Sequence, residues 1–315
     1  MNSNDALADA DLRIICGPTA AGKSTVAMEL AARHGLTIVS ADSRQIYRRF
    51  DIGTAKPTAD DQTRVPHLGI DVADPTERWS AARWAADANQ VVAALGTDRT
   101  LVVGGTGFYL RALVEPLFDA PTLDPARRAA LQVELAGRTL DELRRWCVTL
   151  DPARAHLGRA QLLRAIEIAV LTGRRQSELL TESQHRVREP FTPIRRARWL
   201  VIDPGVRLAA QLEARLDSML ASGWPEEVRN LASDVPADAP AWQACGYAAL
   251  KEYTEGARTL ADARDAILIA TRQYAKRQRT WFRNQLAGAQ VTRLDPHDAT
   301  CDARVNAWWS GGDSA

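Results

Sequence analysis

The chain lacks any surplus of charge: 40 Lys and Arg stand against 39 Asp and Glu, a formal net charge of +1. No global basic excess marks it as a polyanion binder, so any nucleic-acid surface has to be a local patch. Cysteine is scarce as well. Cys16, Cys147, Cys245 and Cys301 lie far apart, with no CxxC and no metal-ligand spacing. That excludes a disulfide framework or a zinc site by pattern and reads as reduced, mostly buried thiols. No apolar run approaches the length of a bilayer span, and the polar, acidic opening MNSNDALADAD carries no signal-peptide pattern. Internal repeats and low-complexity tracts are missing too. The expectation is a soluble, cytoplasmic protein without a membrane anchor. Its 315 residues and 46% hydrophobic composition suffice for one large core or two smaller ones.

What is present is a succession of short apolar runs, each delivering a loop rich in glycine or polar residues. LRIIC (12–16) leads into GPTAAGKS. From Ser24 to His34 the apolar residues Val26, Leu30 and Ala31 then fall at helical spacing, with Gly35 as the stop. Residues 36–40 read as a second strand delivering ADSRQIY. LVV (101–103) reads as a third, delivering GGTG and a helix from Phe108 to Val114. This alternation predicts an α/β fold with a parallel sheet, its ligand loops gathered at the strands' carboxyl ends. From about Pro121 the texture turns helical, with stretches at 124–136, 139–150 and 159–172. RWLVID (198–203) then resumes the α/β pattern.

Gly17, Pro18, Thr19, Ala20, Ala21, Gly22, Lys23 and Ser24 fit GxxxxGK[ST] between a predicted strand and a predicted helix, the context that motif requires. Inward-turned backbone N–H groups and a helix N-terminus make such a loop a cradle for a diphosphate. Lys23 is the candidate for reaching terminal phosphate oxygens, and the Ser24 hydroxyl the candidate ligand for Mg²⁺. The predicted organisation is therefore a P-loop NTPase-like core, 1–119 and 191–315, carrying an all-helical insertion domain at 120–190. A nucleotide hydrolase ends another strand in a Mg²⁺-binding Asp. Here the LVV strand ends in Gly104, Gly105 and Thr106, which argues against hydrolysis. Asp42, after the second strand, reads from the residues alone as a general base, a Mg²⁺ ligand or a turn residue.

A helix predicted over 267–286 places Arg272, Lys276, Arg279 and Arg283 at i, i+4, i+7 and i+11, along one face. Ile267, Ala270, Tyr274, Trp281 and Gln285 fall on the opposite face, suited to packing on the core. Like charges in such a stripe repel by about 0.2–0.5 kcal/mol per i,i+4 pair. A phosphate backbone would offset this; a solvated basic face is the alternative. A second cluster, Arg186, Arg188, Arg195, Arg196 and Arg198, reads either as an RNA guide or as a solvated linker.

SADSRQIYRRFDIGTAKP (40–57) and GPTAAGKS closely resemble signatures of the tRNA dimethylallyltransferase family. Further similar blocks follow in that family's order: PHLGIDVADPTERWSA (66–81), VVGGTGFYL (102–110), RAIEI (164–168), RLDSMLASGWPEEV (215–228), CGY (245–247) and TRQYAKRQRTWFR (271–283). The resemblance implies a P-loop core with a helical insertion. It also implies Mg²⁺-dependent transfer from dimethylallyl diphosphate to N6 of the adenosine 3′ to the anticodon, without ATP. Asp42 is implied as the base, Thr106 as a contact to the target nucleotide and Arg215 as a neighbour of the diphosphate. With Lys23, Asp42 and Thr106 form the candidate catalytic set. For Thr106 a helix N-cap is the other reading, and for Arg215 a solvated helix charge. RNA contacts are implied for Ser43, Arg44, Gln45, Arg128, Gln161, Arg164, Gly246 and Tyr247, and for the stripe from Arg272 to Arg283. The implied partners are dimethylallyl diphosphate and a tRNA anticodon stem-loop, and the implied state is a monomer. The target base must leave its stack, and a passage between core and insertion is expected to receive it.

The chain departs from the family pattern at several positions. Arg44 replaces a common Met, and Trp79 stands where Tyr is usual. Gln161 occupies the first Arg position of NDxxRxxR, whose Asp is missing, and Gln211 stands where an Arg often precedes Arg215. RNA affinity, rather than reaction class, is what these changes touch. The rival readings are a nucleotide kinase, an isopentenyltransferase acting on free adenylate, and a non-enzymatic RNA-binding module. The intact GTAKP block and the basic helix favour RNA.

Overall fold

The computed structural model describes residues 11–115, 121, 123–186, 196–286 and 290–311, with the side chains of 183–186 outside that description. Six strands, β1 (Leu12–Cys16), β2 (Thr37–Ser40), β3 (His67–Leu68), β4 (Thr100–Gly104), β5 (Ala197–Ile202) and β6 (Val291–Leu294), form one sheet. Their order is β3-β2-β4-β1-β5-β6 and every pairing is parallel. Helices cover both faces of such a sheet, which is why LRIIC and TLVVG are almost continuously apolar. Cys16 pairs with Gly104 and Ser40 with Val103. That register brings the carboxyl ends of β1, β2 and β4 level.

The first helix, α1 (Lys23–His34), starts directly from the loop after β1 and stops at Gly35 in the left-handed region. Helices α2 (Ala59–Arg64), α3 (Ala81–Leu95) and α4 (Gly107–Val114) follow between the first strands. Three elements escape a reading of apolar periodicity, among them the two-residue β3, which buries neither side chain fully. α2 buries none of its residues and is held by a Thr58–Asp61 capping box instead. β6 is a four-residue strand with one buried side chain.

The chain divides into two compact units, Met1–Glu115 with Pro193–Ala315, and Pro116–Thr192. The second contains α5 (Pro125–Ala136), α6 (Leu140–Leu150), α7 (Arg159–Thr172) and α8 (Gln176–Arg186). Its core is Leu131, Leu135, Leu143, Cys147, Leu162, Ala165 and Ile166. After β5 the first unit continues with α9 (Leu208–Ala221), α10 (Trp224–Ala232), α11 (Tyr247–Thr254), α12 (Leu260–Gln285) and α13 (Cys301–Ser310). The long α12 begins earlier than its charge pattern predicts, because Thr259 caps it through the Asp262 N–H at 3.1 Å.

Below the sheet, α13 joins Ile15, Leu30, Leu101 and Leu200 in one core cluster through Val305, Trp308 and Trp309. Arg13 and Arg198 lock it there, donating to the Trp309 and Trp308 carbonyls at 3.0 and 3.1 Å. Trp308 is only 1% exposed, so Trp308→Ala is expected to lower stability by about 3–5 kcal/mol. Urea unfolding checks this. A loss below about 1 kcal/mol would mean that α13 is not part of the cooperative core.

Candidate active site

Three loops converge at the strands' carboxyl ends. After β1 the chain runs through Gly17–Gly22, and Lys23 opens α1 with its ammonium turned back to the Pro18 carbonyl at 2.6 Å. After β2 comes Asp42, whose Oδ1 accepts the Arg44 N–H at 2.8 Å and so shapes its own turn. After β4 come Gly104 and Gly105, where close approach demands glycine. A Cβ on Gly104 would lie 2.2 Å from the Ala41 carbonyl oxygen, and one on Gly105 2.4 Å from the Gln278 side-chain nitrogen. Thr106 then reaches across: its hydroxyl oxygen accepts the Ser43 N–H at 3.0 Å. It occupies the N-cap position of α4 but makes no side-chain cap there. Of its two readings, the cap is thus positional only, and the hydroxyl faces the Asp42 loop.

These loops open on a cavity of about 500 Å³, lined by Lys23, Ser24, Asp42, Gly105, Arg215 and Tyr274 among others. All of its lining residues belong to the sheet-containing unit. Burial is the main force on the cavity's ionisable groups. It pushes Lys23 down to about 8, helped by Arg215 and opposed by Asp42 and Cys16. Burial lowers Arg215 as well, with Asp42 pulling it back. The Tyr274 phenol is held above its ordinary value by burial and then by Asp42, with Arg44 and Thr106 opposing. The Cys16 thiol, deep in β1, is pushed up to about 12 by burial and stays neutral. The desolvated Lys23 and Arg215 and the Asp42 carboxylate therefore share a pocket beside the diphosphate loop, an arrangement suited to an anionic group next to a proton acceptor.

A protein-family model described as IPP transferase matches residues 45–285, and a second, isopentenyl transferase, matches 10–68. The chain belongs to the IPP transferase family. It is 40% identical over 298 residues to a tRNA dimethylallyltransferase of Deinococcus radiodurans, covering 91% of this chain and 94% of that protein. It is 42% identical over 311 residues to one of Halorhodospira halophila, covering 94% and 96%. Among solved structures, the full-length tRNA isopentenylpyrophosphate transferase of Bacillus halodurans is similar with a TM-score of 0.64 and 30% identity, over 96% of this chain and 95% of that one. The sheet is thus the P-loop-like sheet of the IPP transferases.

The residues singled out in the sequence separate into those that line the cavity and those that do not. Thr19, Lys23, Ser24, Asp42, Arg44, Gln45 and Arg215 line it. Gln45 has its side chain committed: the amide donates to the Thr54 and Ala55 carbonyls at 3.2 and 3.0 Å and accepts from the Ser40 hydroxyl at 2.8 Å. It holds the GTAKP loop rather than offering free donors. Tyr247 is fully buried, donates its hydroxyl to Glu227 at 2.7 Å and packs on Phe50 and Trp224. Gly246 packs on the same Trp224 ring. In this structure Gly246 and the Tyr247 side chain build the wall behind the GTAKP loop.

In the helical unit, Arg128 and Arg164 both pair with the buried Glu167, at 3.1 and 3.4 Å. Gln161 occupies the third position of α7, its side-chain oxygen 3.4 Å from the Gly158 N–H. The stripe on α12 is also partly neutralised. Arg272 lies 3.6 Å from Glu213, and Arg279 binds Asp203 and the Gly205 carbonyl. Lys276 and Arg283 remain exposed. Carboxylates thus offset part of the repulsion assigned to a phosphate partner. The opposite face is rotated as well: Ala270 and Gln285 are exposed, while Ala275, Gln278 and Phe282 are buried. Of the second basic cluster, Arg188 and Arg195 and the Arg186 side chain lie outside the described residues, and Arg196 and Arg198 pair with Asp11. The departures at Trp79 and Gln211 are both occupied locally. Arg83 stacks 3.5 Å over the Trp79 ring, and Gln211 meets His297 at 2.6 Å.

The depressed Lys23 gives the pocket a pH signature. The free ammonium is present below about pH 8 and lost above it, whereas a bound anion holds the proton on. Affinity for inorganic pyrophosphate relative to Lys23→Met is expected to be constant below pH 7. Above pH 8 the wild-type advantage should shrink, approaching about tenfold per pH unit. Calorimetric titrations from pH 6.5 to 9.5 read this ratio. A ratio flat across that range would place the cation's titration elsewhere.

Proposed function

We propose that this chain transfers the dimethylallyl group of dimethylallyl diphosphate to N6 of the adenosine 3′ to the anticodon in tRNA, releasing pyrophosphate. The observation that carries the reading is that Lys23, Arg215, Asp42, Gly104 and Gly105 meet in one cavity, with Thr106 bonded to the Asp42 loop beside it. A diphosphate fits the loop amides and the two desolvated cations. The adenine amine is a poor nucleophile, because its lone pair is delocalised into the ring. In the reaction N6 attacks C1 of the allylic group and the C1–O bond breaks. The bonding pair goes to pyrophosphate, and the N6 proton passes to the Asp42 carboxylate. A positioned base of this kind contributes about 10²- to 10⁴-fold. Lys23, Arg215 and the loop amides stabilise the charge that grows on the leaving oxygens. Thr106 orients the Ser43 end of the Asp42 loop and offers its hydroxyl towards the nucleotide.

The residues suit Mg²⁺ carried on the substrate. Ser24 and Asp42 supply oxygens along the same cavity, and among the described residues no three His, Cys, Asp or Glu gather as a protein cage. Mg²⁺ is commonly held this way, by one or two protein oxygens, phosphates and water. When bound it neutralises charge on the diphosphate. Exposed Lys276 and Arg283 and the partly paired Arg272 and Arg279 serve the RNA backbone, with Arg44 beside the cavity and Arg128 and Arg164 on the helical unit. The chain acts as a monomer in the cytoplasm; no helix among the described residues is long and apolar enough to cross a membrane.

The test is a transfer assay with labelled dimethylallyl diphosphate, Mg²⁺ and an unmodified anticodon stem-loop with adenosines after the anticodon. Label enters the RNA with wild-type protein and falls at least about 10²-fold with Asp42→Ala, while RNA binding is retained. Label in AMP instead of RNA would contradict the tRNA substrate. Hydrolysis of ATP without transfer would overturn the assignment of the loop's ligand.

A further inference from the structure

One buried side chain, inside the TRQYAKRQRTWFR block but not part of its basic stripe, joins the diphosphate loop to the loop after β4. Gln278 lies on α12 between the stripe residues Lys276 and Arg279, yet it is only 7% exposed. Its side-chain oxygen accepts the Thr19 N–H at 2.8 Å, and its side-chain nitrogen donates to the Gly105 carbonyl at 2.8 Å. Both ends of the amide are therefore used, each on a loop that borders the cavity, and Gln278 lines that cavity itself. The fit is close: Gly105 cannot carry a Cβ without meeting the Gln278 nitrogen at 2.4 Å, and the same Cβ would stand 3.3 Å from the Gly17 carbonyl. A buried amide with both functions satisfied holds its partners at a fixed separation, because leaving either unpaired costs about 1–3 kcal/mol.

We propose that Gln278 is a positioning residue that sets the spacing between the diphosphate loop and the Gly105–Thr106 loop, and so between the leaving group and the attacking amine. Gln278 touches neither reacting atom. By taking the Thr19 N–H it removes that amide from the set facing a phosphate and fixes which way the loop turns. Because it sits on α12, the same residue links the basic helix to the chemistry. This inference rests on the transferase reading above.

Two variants approach the bridge from its two sides. Gln278→Met keeps the length and volume of the side chain and removes both hydrogen bonds. Gly105→Ala leaves Gln278 in place but pushes its nitrogen off the Gly105 carbonyl. Both should lower kcat at least tenfold and weaken inorganic pyrophosphate binding at least fivefold, while stem-loop affinity stays within twofold. Gln278→Glu keeps an acceptor for Thr19 but loses the donor to Gly105. It should recover pyrophosphate affinity relative to Gln278→Met without recovering kcat. A merely structural amide would instead lower the melting temperature and reduce all activities by one common factor. If a folded Gln278→Met or Gly105→Ala chain keeps kcat and pyrophosphate affinity within twofold of wild type, the proposal is overturned. Absence of transfer by the wild-type chain while pyrophosphate affinity still responds to Gln278 would contradict the transferase reading alone.

Discussion

A methyl group at Gly104 would stand 2.2 Å from the Ala41 carbonyl oxygen, and one at Gly105 would collide with Gln278. The site depends on these two missing side chains. They let the end of β4 close down on the Asp42 loop on one side and on the diphosphate loop on the other. The level register of β1, β2 and β4 is what makes that closure useful. In a parallel sheet all loops leave at the same end, and here three of them leave close enough to share hydrogen bonds. Thr106 to Ser43 and Gln278 to Thr19 and Gly105 are those bonds.

The electrostatics follow from the packing. Lys23 and Arg215 both titrate below their ordinary values, chiefly because protein rather than water surrounds them. Asp42 is the carboxylate that opposes this in each case. Cations held with too little solvation gain more from an incoming anion than solvated ones do. Elsewhere the molecule spends its charged groups on itself. Glu167 gathers Arg128 and Arg164, and Lys56 of the GTAKP loop, its side chain almost enclosed, bridges Asp51 and Asp71 at 2.5 and 2.6 Å. Glu227 holds the same loop from α10 through the Asp51 and Ile52 N–H groups.

Much of this was legible in the residues because the signals were local. A strand, a glycine loop and a capped helix in succession announce the diphosphate cradle within a dozen residues, and the parallel sheet follows from the alternation of runs. Strands β3 and β6 and helix α2 were not legible: their stability comes from register and capping, and they bury too little to leave a period. Tyr247 and Gln45 stand in motif-like blocks, and a motif marks that a residue matters without separating a wall from a contact. Only the fold reveals that the Tyr247 hydroxyl is spent on Glu227. Gln278 stands in such a block too, but its role is hidden there. A neutral amide among arginines and lysines carries no pattern, and its partners lie 259 and 173 residues away. The four cations of the stripe lie on one side of α12 as their spacing dictates, but the pairing of Arg272 and Arg279 leaves no mark in that spacing, because Glu213 and Asp203 come from other elements.

The central claim is that the Lys23 loop and the Asp42 loop act on one reacting centre. A double-mutant cycle on kcat/KM for prenyl transfer, with Lys23→Met, Asp42→Asn and the pair together, tests it most directly. Residues that serve one transition state lose most of their joint effect when either is removed. The double variant is therefore expected within about tenfold of the weaker single variant. Losses that simply multiply would mean that the two loops work independently, and would contradict the account.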